Sequence, residues 1–272
     1  MQQAEATLLR RARPLLGTLV EVTCAHEDEP ASRDRALAAS QAAFDAALLV
    51  HRLMSRHEAG SDLSRFNAAA AGQWVEVDAH TTAVFSQALE LAALSGGVFD
   101  VCAVGGAQAP GTWRDIEIDS ERHALRKQAP LQADLGGIAK GHAVDAAVEA
   151  LERNGVQAGW VNAGGDLRVF GAIEVPVCVR DPRDLSRLIE CTRLSNGAAA
   201  TSATYFADAQ GAHEAAASLR HGVTRALVTP GASWTVAAPR CMLADALTKL
   251  VAATGDATHP LLAHYAAKAW IY

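Results

Sequence analysis

The chain has no run of basic residues that could neutralise a row of phosphates. Its 24 Lys and Arg are outnumbered by 30 Asp and Glu, which gives a formal net charge of −6. The densest basic group, Arg10 to Arg13, is interpreted as a solvated N-terminal arm. Because nucleic-acid binding depends on clustered positive charge, these features exclude a nucleic-acid partner.

Cysteine pairs and long apolar runs are also absent. The five cysteines are scattered and odd in number, and none forms a CxxC pair, which indicates reduced, mostly buried thiols. No apolar run reaches the ~18 residues of a membrane span. The first 13 residues lack the apolar core of a signal peptide, and the first cysteine, Cys24, lies in a strand-like segment rather than in a lipid-anchor motif. We therefore expect a cytoplasmic protein.

What is present is an ordinary globular composition and a mixed hydrophobic pattern. Hydrophobic residues make up 50% of the 272 residues, enough for a sizeable core in one large or two small domains. The predicted helices are 32–57, 79–95, 138–154, 244–253 and 261–267. The predicted strands are 15–24, 74–77, 115–119, 123–127, 156–161, 167–170, 175–180, 188–194, 198–206, 226–228, 233–238 and 268–272. Because helices and strands do not alternate regularly, the pattern predicts an α+β fold.

Two glycine segments hold the most informative residues. Asp134 to Asp145 is DLGGIAKGHAVD, and Asn162 to Asp166 is NAGGD. Glycines let backbone N–H groups approach a phosphate closely, whereas carboxylates nearby repel phosphate unless a cation lies between them. The combination favours a metal-assisted site for a phosphorylated ligand. The alternative is two tight turns around a helix, with aspartates as helix caps.

Seven pieces of sequence, taken in order, resemble the ApbE family of FAD:protein FMN transferases. The two glycine segments are close to its DLGGIAKGYAVD and NAGGD motifs, with His142 in place of Tyr. The other pieces are Leu16-Gly17-Thr18, Ser55 to Asn67, Gly97 to Asp100, Ala200-Thr201-Ser202 and Ala244 to Leu247. The resemblance covers most of the chain, so residues 1–272 are expected to form a single ApbE-like domain, with two closely packed lobes as a variant.

The resemblance implies both a fold and an activity. The fold is an ApbE-like (T-fold-like) core of antiparallel strands packed with long helices. Family members cleave the pyrophosphate of FAD, transfer FMN to a Thr or Ser hydroxyl of an acceptor protein and release AMP, usually with Mg²⁺. The FAD-binding residues that it implies are Gly17, Thr18, Ser55, Asp100, Gly136, Gly137, Lys140, Asp145, Gly164, Gly165, Asp166 and Ser202. Asp145 and Asp166 either hold the flavin or brace the loops.

The implied metal ligands are the carbonyl of Ala139 and the side chains of Asp245 and Thr248. The family usually has Thr four residues after the aspartate, where this chain has Lys249. An ammonium cannot ligate a metal. Either Lys249 takes the place of the cation, or a small helix shift brings Thr248 to the metal, so Mg²⁺ dependence is in question.

The implied catalytic residues are Asp245 and His221. The family's HxxDPxTG loop is replaced here by His221-Gly222-Val223-Thr224-Arg225, which lacks the DP and TG elements. His213 is the alternative histidine, and Tyr205 and His142 are further candidates to contact flavin. These departures leave a second function open, a relative that binds or hydrolyses FAD without transferring FMN.

Overall fold

The structure, a computed structural model, describes residues 7–104, 110–181, 183–203, 219–228 and 232–272. Its helices are α1 (Pro30–Met54), α2 (Asp62–Ala68), α3 (Ala79–Leu94), α4 (Ala139–Arg153), α5 (Cys241–Thr254) and α6 (Pro260–His264). Its strands are β1 (Thr7–Leu15), β2 (Thr18–His26), β3 (Trp74–Glu76), β4 (Ile116–Asp119), β5 (Ala124–Lys127), β6 (Gly159–Ala163), β7 (Asp166–Phe170), β8 (Val175–Asp181), β9 (Asp184–Leu194), β10 (Gly197–Ala203), β11 (Ser233–Ala238) and β12 (Lys268–Ile271). The α+β prediction is confirmed.

The centre of the molecule is a seven-stranded antiparallel sheet in the order β1-β2-β6-β7-β10-β11-β12. Strands β3, β5 and β4 form a second sheet, and β8 pairs with β9. The adjacent predicted strands 115–119 and 123–127 pair as the β4–β5 hairpin, and the predicted strand 268–272 is observed as β12 at an edge of the large sheet. No helix in the part of the chain that the structure describes is long and apolar enough to cross a membrane.

The two faces of the large sheet are covered by different elements. Helices α1, α4 and α5 pack in sequence, α1 on α4 and α4 on α5, and each also contacts the sheet. On β10, Ala198 and Ala200 join the core under these helices, whereas Ala199 joins a smaller apolar cluster with Val177 of β8. Because successive strand residues point to opposite faces, the β8–β9 hairpin covers the face away from the helices.

The N-terminal prediction is wrong at two points. Residues 15–24 are not one strand, because Leu16 and Gly17 both have positive φ (57° and 71°) and form the turn of a β1–β2 hairpin. The basic group is not a solvated arm: Arg11 donates to Ser40 Oγ at 2.8 Å on α1. The sequence shows that these arginines are charged, but it does not show that α1 supplies their hydrogen-bonding partner.

Helix ends follow local signals only in part. Ser61 directly precedes α2 and caps it by accepting from the Ser64 N–H, as serine at that position favours. Ser32, by contrast, does not cap α1, which begins at Pro30 because proline is well suited to the first turn of a helix. Ser32 accepts instead from the Glu27 N–H at 3.2 Å, so it supports the chain that enters the helix.

Candidate active site

A cleft of about 670 Å³ lies where the C-terminal end of α1, the start of α4 and the end of β10 meet. The side chains that line it come from segments far apart in the sequence, which only the fold brings together. Of the residues implied by the resemblance, the lining includes Gly17, Ser55, Asp100, Gly136, Gly137, Ala139, Lys140 and Ser202. The size is within the ~300–1,000 Å³ of small-molecule sites.

The first glycine pair forms the turn that enters α4. Asp134 Oδ1 accepts the Gly136 N–H at 2.8 Å, so this N–H is already paired and not free for a phosphate. A Cβ on Gly137 would lie 3.4 Å from Cγ and from Cε of Lys249. The Lys249 stem therefore lies in contact range of the backbone at Gly137.

Lys140, in the first turn of α4, forms an ion pair with Asp166 at the start of β7. Asp166 is almost fully buried, and burial together with the charge of Asp245 raises its pKa, while Lys140 opposes the shift. Burial by itself lowers the pKa of Lys140, but the charges of Asp166 and Asp245 outweigh it and raise that pKa. Lys140 is thus a permanent cation at the wall of the cleft.

Lys249 and Asp245 form a second ion pair one helical turn apart on α5. Lys249 Nζ also donates to Ser202 Oγ at 3.0 Å, and Lys249 lines the cleft. Asp245 has no solvent exposure, and its Oδ2 accepts the Gly141 N–H at 3.0 Å. Burial alone would raise the pKa of Asp245, but the charges of Lys249 and Lys140 lower it, so the carboxylate is ionised.

Two of the three implied metal ligands, the side chains of Asp245 and Thr248, do not fit a divalent ion, while the third, Ala139, lines the cleft. Both oxygens of Asp245 already have hydrogen-bonding partners, an ammonium and a backbone N–H. Thr248 is fully buried, donates to the Asp245 carbonyl at 2.7 Å, and lies 2.7 Å from Ser202 Oγ. Across the described ranges, no group of three or more His, Cys, Asp or Glu is placed to hold a metal. Lys249 Nζ lies against Asp245, the carboxylate at which the resemblance implies the cation.

Asp145, which the resemblance implies as a flavin ligand or a brace, contacts other parts of the chain. It is fully buried on α4, away from the cleft lining. Its carboxylate accepts the backbone N–H groups of Cys241 and Met242, both at 2.9 Å, and pairs with Arg168 at 2.9 Å. The first turn of α5 has free N–H groups that need such an acceptor, so Asp145 fixes the helix that carries Lys249.

The second glycine pair also has a structural role. Gly164 (φ 62°) and Gly165 (φ 102°) form the β6–β7 turn, and Asn162 Oδ1 accepts the Gly165 N–H at 3.1 Å. A Cβ on Gly164 would lie 2.4 Å from Thr18 Oγ1. The implied flavin ligands Thr18, Gly164, Gly165 and Asp166 do not line the cleft. Thr18 and Gly164 instead pack the first hairpin onto this turn, and Asp166 pairs with Lys140.

Neither His221 nor His142 is among the described residues that line the cleft. His221 Nδ1 accepts the N–H groups of Val223 and Thr224 at 3.2 and 3.3 Å, so the ring is tied to its own loop. His142 lies against His80, with 2.9 Å between ring nitrogens, and burial lowers its pKa to about 4. His213 and Tyr205 lie outside the described residues.

Three charged residues that sequence reasoning missed line the cleft. Arg56 Nη1 lies 3.5 Å from Asp134 Oδ2, and both residues line the cleft with Arg220. Asp134 is the first residue of the first glycine segment, and Arg56 follows Ser55 directly, so their positions beside named motifs were the available signal. Arg220 precedes His221 and had no such signal.

Known proteins are similar to this chain over most of its length. A family model described as "ApbE family" matches residues 16–109 and 103–270. The FAD:protein FMN transferase of Rhodobacter capsulatus is 33% identical over 195 residues, which cover 62% of this chain and 36% of that protein. The one of Vibrio cholerae is 29% identical over 173 residues, 52% of this chain and 51% of that protein. The matched parts thus span about half or less of these curated relatives.

Solved structures agree on the fold. The ApbE protein of Thermotoga maritima has a TM-score of 0.75 at 23% identity and covers 92% of this chain and 87% of its own. The apo flavinyl transferase ApbE of Pseudomonas stutzeri has a TM-score of 0.77 at 22% identity and covers 100% and 92%. Together with the family match over most of its length, this shows that the chain belongs to the ApbE family.

Proposed function

We propose that this chain binds FAD in the cleft and transfers its FMN part to a Thr or Ser hydroxyl of an acceptor protein, releasing AMP. The observation that carries the proposal is the pair of ammonium groups, Lys140 and Lys249, at a glycine-lined cleft in an ApbE-family chain. Two curated relatives are named FAD:protein FMN transferase, and that name supports the choice of FAD over other pyrophosphates.

The reaction breaks one bond and forms one. The acceptor oxygen attacks the FMN phosphorus, the bond from that phosphorus to the bridging oxygen breaks, and AMP leaves with the bridging oxygen. The hydroxyl proton is released to solvent or a base. Because negative charge concentrates on the pyrophosphate oxygens, the main task of the protein is to neutralise and orient them. Lys140 and Lys249 supply positive charge, and Ser202 Oγ lies beside Lys249.

We assign roles to the implied site residues accordingly. Gly17, Ser55, Asp100, Gly136, Gly137 and Ser202 are proposed to contact FAD, since all of them line the cleft. Asp245 is a positioning residue, because it is buried and acts through Lys249 and Gly141. Nothing in the geometry places His221 on reacting atoms, so we assign it to the structure of its loop.

Calorimetric titration with FAD, FMN and ATP tests the ligand assignment. We expect FAD to bind most tightly, because only FAD carries both the flavin and a nucleotide joined by a pyrophosphate. Lys140→Ala should weaken FAD binding by about tenfold, equal to ~1.4 kcal/mol, whereas Lys268→Ala, on the exposed part of β12, should not. Binding of ATP as tight as that of FAD would overturn the flavin assignment.

Product analysis separates transfer from hydrolysis. Purified protein is incubated with FAD, with and without a Thr-containing acceptor protein that is flavinylated by a known family member. We expect AMP release together with fluorescent flavin bound to the acceptor. Release of AMP and free FMN, with no flavin on the acceptor, would support the FAD-hydrolysing alternative instead.

A further inference from the structure

Lys249 holds its ammonium at the floor of the cleft by contacts on three sides. Its Nζ pairs with Asp245 and donates to Ser202 Oγ at 3.0 Å, while its stem packs against Gly137. The side chain keeps 18% of its exposure, and the residue lines the cleft. An ammonium has three N–H donors. Two are directed to Asp245 and Ser202, which leaves one for a ligand oxygen in the cleft.

The two ammonium groups and two carboxylates around this site neutralise one another without any further cation. Lys140 pairs with Asp166, and Lys249 pairs with Asp245. Charges from Asp245 act on Lys140, and charges from Lys140 and Lys249 act on Asp166, so the four groups form one electrostatic cluster. A divalent ion added at Asp245 would have to displace the ammonium or sit directly beside it, where like charges repel.

The ligand set also disfavours a small divalent ion. Mg²⁺ requires oxygen ligands in near-octahedral geometry at about 2.0–2.1 Å. At this place Asp245 faces an ammonium and an N–H group, and the Thr248 hydroxyl donates to a carbonyl of its own helix. Freeing these atoms would break the contacts that hold α5 against α4 and β10.

We propose that Lys249 Nζ replaces the divalent metal in this chain, so that it binds the pyrophosphate of its ligand without Mg²⁺. The proposal rests on the proposed function for the identity of that ligand. Its second part, that wild-type protein binds no divalent ion at Asp245, can be tested with a metal ion in the absence of FAD.

FAD binding by wild-type protein is measured by calorimetry in EDTA and in excess Mg²⁺. We expect the two dissociation constants to agree within about twofold, or ~0.4 kcal/mol. Lys249→Met keeps the unbranched stem of the side chain but removes its charged end, so it should weaken FAD binding roughly tenfold in both buffers. Lys249→Thr should be weakened similarly in EDTA and regain affinity when Mg²⁺ is added.

Mn²⁺ alone, followed by electron paramagnetic resonance, gives the second readout. Wild type and Lys249→Met should leave Mn²⁺ free in solution, whereas Lys249→Thr should bind it, because only the threonine both removes the ammonium from Asp245 and supplies an oxygen ligand. Lys268→Thr is the matched control on an exposed lysine, and thermal melts check that each variant is folded.

The calorimetric and Mn²⁺ results together decide whether Lys249 replaces the metal. Mn²⁺ binding by wild type, a strict Mg²⁺ requirement for its FAD binding, or normal FAD affinity in folded Lys249→Met would overturn the metal replacement. If wild type binds no FAD in either buffer, the proposed function fails. The metal replacement is then decided by Mn²⁺ alone, supported by binding in Lys249→Thr only and rejected otherwise.

Discussion

Asp145→Ala should lower the free energy of unfolding by about 3–5 kcal/mol, the usual cost of breaking a buried ion pair. The Asp145 carboxylate is fully buried and holds the N–H groups of Cys241 and Met242 as well as Arg168. Its removal leaves a partly buried guanidinium and two backbone donors without an acceptor. Urea unfolding followed by circular dichroism measures the loss.

Two further variants make the Asp145 result specific. Asp145→Asn keeps the size and one acceptor oxygen but loses the charge, so its loss should be intermediate. Asp34→Ala removes an exposed carboxylate on α1 and should change stability by less than about 0.5 kcal/mol. If Asp145→Ala were within about 1 kcal/mol of wild type, the carboxylate would not be the anchor of α5.

Gly141→Ala should destabilise the protein by about 1–3 kcal/mol, as overpacking in a tight core does. In the middle of a helix, alanine normally makes a protein more stable than glycine does, by about 0.5–1 kcal/mol. Here we expect the opposite effect on stability. A Cβ at position 141 would lie 2.3 Å from the Cys241 carbonyl oxygen and 2.8 Å from Asp245 Cβ. Helices α4 and α5 must therefore move apart.

The same movement should weaken ligand binding. The Gly141 N–H donates to Asp245 Oδ2 at 3.0 Å, and Asp245 positions Lys249, so FAD affinity should fall by about tenfold or more. Gly60→Ala is the control, because a Cβ there meets nothing within 4 Å. Chemical denaturation and calorimetry report the two effects separately. Unchanged stability in Gly141→Ala would show that α4 and α5 are not in close contact.

Local chemistry in the sequence predicted most of the helices and strands. The glycines at 96 and 97 end α3, and Gly155, with φ 81°, follows the end of α4, as expected of residues that tolerate positive φ. Ser61 caps α2. These signals act within a few residues, which is why they can be recognised before the fold is known.

Predictions that needed a distant partner were less successful. The sequence showed that Arg11 is charged but not that Ser40 on α1 would accept its hydrogen bond. Thr18 and Gly164 belong to two predicted motifs, yet they pack against each other rather than lining the cleft. A motif identifies residues that belong together, but it does not state which of them faces the ligand.

The sequence by itself determined the family, the α+β class and the position of the departure at Lys249, because these depend on residue type and order. Only the tertiary structure decided what Lys249 and Asp145 do. Lys249 and Asp245 lie one turn apart on α5, but only the fold brings Ser202 of β10 to the Lys249 ammonium, across 47 positions of sequence. Asp145 caps a helix whose first turn lies 96 positions later. Such contacts arise when α4, α5 and β10 pack together, and no local pattern in the chain specifies them.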